Sequence, residues 1–275
     1  MNDTRPIGVF DSGVGGLSVW REIARQLPHE DTLYFADQLH IPYGQRSPVQ
    51  IRQFSEAITR FLIERQCKAI VVACNTASAA ALKHLRETFP FIPFVGMEPA
   101  VKPAAETTQT RVVGVLATPA TFQGELFASV VERFANGVQL INQVCPGLVE
   151  QVEAGKLDAP DTDAMLRAFL QPILDANADT IVLACTHYPF VVESIRRIAG
   201  PGVNVIDPSP AIARQTGRAL VERGLIAAGS RAGQHVFFTG GDRDAFSRVL
   251  RRLTGVDGQI KVAAWRNGRT VFEQS

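Results

Sequence analysis

The chain carries almost no surplus charge: 28 Lys and Arg against 27 Asp and Glu in 275 residues leave a formal net charge of +1. The basic residues are scattered rather than clustered, which excludes the electrostatic footprint of a nucleic-acid or membrane-surface protein. No apolar run is long enough to span a bilayer, and the first ten residues lack the basic-then-apolar order of a secretory leader. The expectation is a cytoplasmic protein acting on small molecules. Cysteine is scarce: Cys67, Cys74, Cys145 and Cys185 are the full set, and none stands in a C-x-x-C spacing. In a reducing compartment that argues against both disulfides and a zinc site. Cys67 and Cys145 read as small buried hydrophobes, the ordinary fate of a free cysteine.

What the chain has is apolar material, 46% of its residues, distributed as short β-branched runs between helical patterns. The runs lie at Pro6 to Phe10, Leu33 to Ala36, Ala69 to Ala73, Pro93 to Gly96, Arg111 to Ala117, Val138 to Val144, Thr180 to Ala184, Val203 to Ile206 and His235 to Thr239. Strands alternating with helices imply an α/β fold with mostly parallel sheets. Ile51, Phe54, Ile58, Phe61 and Leu62 fall on one face of a helix over Pro48 to Gln66, and a second helix spans Asp161 to Ala176 with Asp161 or Thr162 as its cap.

The chain also repeats itself. Ile70-Val-Val-Ala-Cys74-Asn-Thr-Ala matches Ile181-Val-Leu-Ala-Cys185-Thr-His-Tyr, and Ile7-Gly-Val-Phe-Asp11-Ser12 loosely matches Val113-Gly-Val-Leu-Ala-Thr118. Similar offsets suit two pseudo-symmetric α/β domains with the active site between them. Prolines near Met97 to Pro103 and Asp207 to Pro210 mark the crossovers, giving a discontinuous first domain, 1–98 plus 208–275, and a second over 99–207.

Each motif cysteine follows an apolar strand and precedes polar residues, so its sulfur is presented where α/β folds place their ligands. Backbone N–H groups near Ala77 or Phe190 would favour a thiolate, and Asp11 and His187 stand as candidate proton acceptors. Two thiols in two facing halves suit a reaction that needs an acid and a base on opposite sides of one carbon, which is racemisation. A Cys–His hydrolase would need only one. No lysine stands in an obvious pyridoxal setting and no metal constellation is visible, so no cofactor is expected. Carbanion stabilisation then falls to Ser12, Asn75, Thr76, Thr121 and Thr186 and to helix N-termini.

Asp11-Ser-Gly-Val-Gly-Gly-Leu17, Pro42-Tyr-Gly44, Cys74-Asn-Thr-Ala-Ser78, Glu98-Pro-Ala100, Cys185-Thr-His-Tyr-Pro189 and Asp207-Pro-Ser209 together resemble the motifs of the glutamate racemase family, in order and over nearly the whole chain. The resemblance implies interconversion of L- and D-glutamate without a cofactor by catalytic Cys74 and Cys185, assisted by Asp11, His187 and Glu153. It also implies substrate contacts from Asp11, Ser12, Tyr43, Gly44, Asn75, Thr76, Thr118, Thr121, Thr186 and His187, with Asp37 a more distant acidic member. It further implies a homodimer supplying D-glutamate for peptidoglycan synthesis. The chain is similar to members without the N-terminal extension linked to activation by a cell-wall precursor, so that regulation is not expected.

Three rival readings remain open to the sequence. Gly13-Val-Gly15-Gly16 with Asp37 mimics a dinucleotide fingerprint, but Ser18 stands where its third glycine is needed. A two-lobed amino-acid-binding protein would usually be exported. An aspartate racemase would share the two thiols and differ only in pocket size. His29, His40, His84 and His235 read as surface or packing residues.

Overall fold

The computed structural model describes residues 3–266 and 269–272, so the ends of the expected first domain at 1, 2 and 273–275, and positions 267 and 268, lie outside the described residues. Eleven strands are described: β1 (Ile7–Asp11), β2 (Thr32–Ala36), β3 (Ala69–Val72), β4 (Phe94–Gly96), β5 (Val112–Ala117), β6 (Gln139–Val144), β7 (Thr180–Ala184), β8 (Asn204–Ile206), β9 (His235–Thr239), β10 (Gln259–Arg266) and β11 (Arg269–Phe272). The helices are α1 (Leu17–Gln26), α2 (Pro48–Glu64), α3 (Asn75–Thr88), α4 (Val101–Thr107), α5 (Pro119–Phe122), α6 (Glu125–Phe134), α7 (Leu148–Glu153), α8 (Pro160–Asp175), α9 (Val192–Ala199), α10 (Ser209–Glu222) and α11 (Arg243–Thr254). Two 3₁₀ turns, Tyr43–Gln45 and Tyr188–Val191, complete the order. Among the described residues no helix is long and apolar enough to cross a membrane.

The strands form two sheets, ordered β11-β10-β9-β2-β1-β3-β4 and β6-β5-β7-β8. All pairings are parallel except β10 with β11. The block β2-β1-β3-β4 has the same order as β6-β5-β7-β8, so the sequence repeat is a topological repeat. It holds in register too: Gly8 stands opposite Ile70, and Gly114 opposite Ile181. The C-terminal ends of the paired central strands carry Asp11 and Ser12, Cys74, Thr118, and Cys185, so the equivalent pairs 12/118 and 74/185 stand at equivalent places.

Burial holds the two sheets together. One apolar cluster contains Ile7, Val9, Trp20 and Val71 from the first half and Leu148, Ile173, Ile181 and Leu183 from the second. A second cluster, with Phe10, Phe35, Phe61 and Val72, lies on the other side of the first sheet, and a third, with Val113, Val115 and Val182, on the other side of the second. Parallel strands buried on both faces read as continuous apolar runs, which is why Ala-Ile-Val-Val and Thr-Ile-Val-Leu-Ala are so legible.

One local expectation needs correction. The cap of α8 is Ala159, not Asp161 or Thr162: Pro160 occupies the first helical position, where its missing N–H is of no consequence, and pushes the boundary one residue back. The Thr162 hydroxyl instead donates to the Lys156 carbonyl at 2.7 Å. The hairpin β10–β11 was not expected, because Gln-Ile-Lys-Val-Ala-Ala-Trp-Arg alternates weakly and is rich in alanine, a poor strand former.

Candidate active site

The strand ends of the two sheets open onto one cavity of about 150 Å³. Its walls include Ser12, Tyr43, Gly44, Cys74, Asn75 and Thr76 from the first half and Thr118, Cys185, Thr186 and His187 from the second. Both sulfurs are therefore on the wall of the same chamber, approaching from opposite sheets, with only 4% and 6% of the residues exposed. Among the described residues no lysine or arginine lines it, so an anionic ligand there meets hydroxyls, an amide, backbone dipoles and the His187 imidazole. The Asn75 amide is the clearest sign of a built site: its nitrogen and oxygen are both buried without a hydrogen-bond partner among the described residues. Leaving such a group unpaired costs about 1–3 kcal/mol.

The Cys74 side is compact. Cys74 caps α3, its sulfur accepting from the Ala77 N–H at 3.4 Å, while the thiol reaches the Ser12 hydroxyl at 3.9 Å. Behind it Asp11 is fully buried, one carboxylate oxygen accepting from the Gly13 and Gly16 N–H groups at 3.1 and 3.0 Å. Asp11 does not line the cavity; it meets Cys74 and, at 3.5 Å, the Thr186 hydroxyl from behind the wall. Burial pushes the Asp11 carboxyl above its ordinary range, against the opposing pull of His187 and the Gly16 N–H, and so makes it a better proton acceptor. Burial likewise pushes the Cys74 thiol well up, reinforced by the charge of Asp11.

The Cys185 side is longer. Cys185 Sγ lies 3.7 Å from His187 Nδ1, and His187 Nε2 lies 2.7 Å from Glu153 Oε1. Burial opposes a charge on His187, but its hydrogen bonds to Cys185 and Glu153 outweigh that penalty and hold the imidazole well above the ordinary histidine range. Glu153, at the end of α7, is outside the cavity wall. The expected backbone N–H near this sulfur is differently engaged: the Phe190 N–H donates to the His187 carbonyl at 3.2 Å, because a 3₁₀ turn rather than an α-helix follows the cysteine.

The glycine-rich loop 12–16 is shaped by these groups. A Cβ on Gly13 would run into Glu153 Oε1, and one on Gly15 into the His187 ring and, at 2.7 Å, Thr186 Oγ1. The glycines let the first half's backbone close against the second half's histidine and glutamate, with Val14 N–H donating to Glu153 Oε1 at 2.7 Å. That is a different use of glycine from cradling a pyrophosphate.

Of the remaining expected residues, Thr121 does not reach the cavity. Its hydroxyl lies 3.1 Å from that of Thr118, which lies 2.9 Å from that of Thr76, a hydroxyl chain crossing the two halves. Asp37 is buried one layer out, accepting from the Tyr43 hydroxyl at 2.6 Å and the Trp265 indole N–H at 3.1 Å. His40 packs on Phe54 and bonds Asp37; His29, His84 and His235 are also away from the wall. Glu98 is exposed, and Asp207 accepts from Ser209 N–H at the start of α10, so these two motifs belong to the crossovers. Cys145 is buried as expected, yet it also lines the cavity, together with Gln45, Val149, Glu150 and Tyr188. The Cys-Pro-Gly order at 145–147 was the available signal, since it marks a turn directly after a strand end.

Comparison with known proteins points to one family. The family model of Asp/Glu/hydantoin racemases matches residues 7–216. A glutamate racemase of Roseiflexus sp. (strain RS-1) is 53% identical over 250 residues, 90% of this chain and 92% of that one. One of Stutzerimonas stutzeri is 48% identical over 93% of this chain and 96% of its own. Among solved structures, glutamate racemase RacE1 from Bacillus anthracis superposes with a TM-score of 0.88 at 32% identity, covering 98% of this chain and all of that one. The Francisella tularensis glutamate racemase in complex with D-glutamate gives 0.83 at 31% identity, covering 96% of this chain and 98% of its own. The chain belongs to the Asp/Glu/hydantoin racemase family and, within it, to the glutamate racemases, which are amino-acid isomerases.

Proposed function

We propose that this protein interconverts L- and D-glutamate without a cofactor, Cys74 and Cys185 acting on opposite faces of Cα. The observation that carries the reading is the pair of buried thiols on one cavity, each backed by its own proton acceptor. In one direction a thiolate takes the Cα proton while the opposite thiol delivers another; in the reverse direction the roles exchange. Asp11 holds and returns the proton of Cys74, and His187, charge-balanced by Glu153, does the same for Cys185. Ser12, Asn75, Thr76, Thr118 and Thr186 donate to the carboxylates and to the charge that builds beside the α-carboxylate. Tyr43 and Gly44 close the first-half wall, and Thr121 holds Thr118 in place.

The relatives' names support glutamate over aspartate, and the Francisella complex with D-glutamate supports glutamate as the ligand. The same reading includes a division into domains 1–98 plus 208–275 and 99–207, a cytoplasmic homodimer, and a role in supplying D-glutamate for peptidoglycan synthesis. The test is polarimetry of L-glutamate with purified protein after exhaustive dialysis against chelator and with no added cofactor. Decay of rotation to zero, with aspartate left unchanged, is the expected result. A stable signal, or equal turnover of aspartate, would reject the assignment.

A further inference from the structure

Glu153 is the charged end of the His187 arm, and its second oxygen has a partner that the mechanism does not use. Gln38 Nε2 donates to Glu153 Oε2 at 2.9 Å. The other end of that amide is also engaged: the fully buried Thr239 hydroxyl donates to Gln38 Oε1 at 2.8 Å and accepts from the Gly241 N–H at 2.9 Å. The chain has a fixed polarity. A hydroxyl that accepts from Gly241 still has its proton to give, which suits Gln38 offering it oxygen and turning its NH₂ end to the carboxylate. A carboxylate can only accept, so both constraints agree. From β9 of the first sheet, the line therefore runs Gly241, Thr239, Gln38, Glu153, His187 and Cys185.

We propose that Gln38, oriented by Thr239, is a positioning residue for the reaction: it holds the Glu153 carboxylate in the rotamer that bonds His187. The proposal rests on the reading of His187 and Cys185 given above. Val14 N–H and His187 share one carboxylate oxygen, which fixes a point but leaves the carboxylate free to turn about it. The bond from Gln38 to the other oxygen fixes the plane. Gln38 and Asp37 thus divide the end of β2 between the two halves of the site: Asp37 holds Tyr43 on the near wall, and Gln38 reaches across to the far one.

The test is a double-mutant cycle. Gln38→Leu is expected to lower kcat for glutamate about tenfold with KM changed less than about twofold, because the residue acts on a proton-transfer arm and touches no substrate. In a Glu153→Gln background the same change is expected to cost less than about twofold, since the carboxylate it orients is gone. Gln38→Glu, of the same shape but unable to donate as a carboxylate, is expected to lose at least as much as Gln38→Leu, and Thr239→Val to lose less. Independently of turnover, the Nε2 proton of His187, followed by NMR in protein labelled with ¹⁵N-histidine, is expected to move upfield in Gln38→Leu as its bond to Glu153 loosens. A full effect in both backgrounds, or an unchanged kcat with an unmoved imidazole signal, would overturn the proposal. A wild-type protein that failed to racemise would overturn the functional reading, and a moved imidazole signal in Gln38→Leu would then support only the orienting of Glu153 and not a part in racemisation.

Discussion

Cys74 and Cys185 stand at matching strand ends of two four-strand blocks with the same order, yet the molecule backs them in different ways. Cys74 has a buried carboxylate in its own half and a helix N-terminal N–H on its sulfur. Cys185 has an imidazole two residues on, and the carboxylate behind that imidazole is gripped by the other half through Val14 and Gln38. The duplication thus conserved position and not chemistry. A repeated scaffold places two sulfurs on one cavity, and in the proposed mechanism the unlike backing would let two unlike groups carry their protons. The second arm's carboxylate takes bonds from the other half, whereas Asp11 takes its shorter bonds, from the Gly13 and Gly16 N–H groups, within its own half.

The largest expected effect treats the two sides alike. Cys74→Ala and Cys185→Ala should each lower racemisation by about 10³-fold or more, since each removes the acid or base for one face; circular dichroism and thermal melts should show the fold retained. Near-normal turnover by either would break the pairing.

Gly15→Ala should then separate the sides. Its Cβ would press on the His187 ring and on Thr186, with an overpacking cost of about 1–3 kcal/mol. Turnover should fall about 10- to 100-fold, because the Cys185 arm would be displaced. Crystallography of the variant should show His187 moved and Asp11 in place.

Next comes pH. Glu153 helps hold His187 above its ordinary range, so Glu153→Gln should let the imidazole lose its proton at lower pH. The alkaline limb of the kcat profile should move down in pH, with kcat falling about tenfold at its optimum. Asp11→Asn should leave that limb's dependence on Glu153 intact while weakening proton transfer at Cys74. An identical pH shift in both variants would erase the distinction between the arms.

The smallest effect serves as a control at the other end of the second sheet. Asp179 accepts from the Thr108 hydroxyl at 2.6 Å and from the Gln109 and Thr110 N–H groups at 2.5 and 2.9 Å. Burial pushes the carboxyl up, but these bonds prevail and lower it to about 2. A depressed carboxyl stabilises the fold above its unfolded value of 3.8 and loses that contribution as pH falls towards about 2. Asp179→Ala should therefore lower Tm by a few degrees at neutral pH, with the gap closing between about pH 4 and 2 and kcat unchanged.

The parts of this architecture that a sequence can announce are those written as local runs. Strands β1 to β9 were legible as short apolar or β-branched blocks, the central ones buried on both faces and β6 and β8 only partly, and the cysteine repeat because each sulfur directly follows such a block. Asp11 and Ser12, Cys74 to Thr76, and Cys185 to His187 were legible as strand-end residues for the same reason. What sequence hid is long-range. Nothing local tells that Gln38 meets Glu153 across 115 positions, that Asp11, Thr121 and Glu153 stand behind the wall rather than on it, or that Cys145 reaches the cavity. The glycine-rich loop was visible, but its purpose was not, since the atoms that need its missing Cβ come from residues 153 and 187.

Two-base inversion is tested most directly by running the reaction from L-glutamate in D₂O to low conversion and analysing both enantiomers by mass spectrometry. Transfer between two thiols predicts deuterium at Cα in nearly all of the new D-glutamate and little in the remaining L-glutamate, because the base that takes the proton is not the acid that supplies the deuteron. D-glutamate that retains the original proton, or L-glutamate that gains deuterium as fast as product forms, would point to one base serving both faces and contradict the paired roles of Cys74 and Cys185.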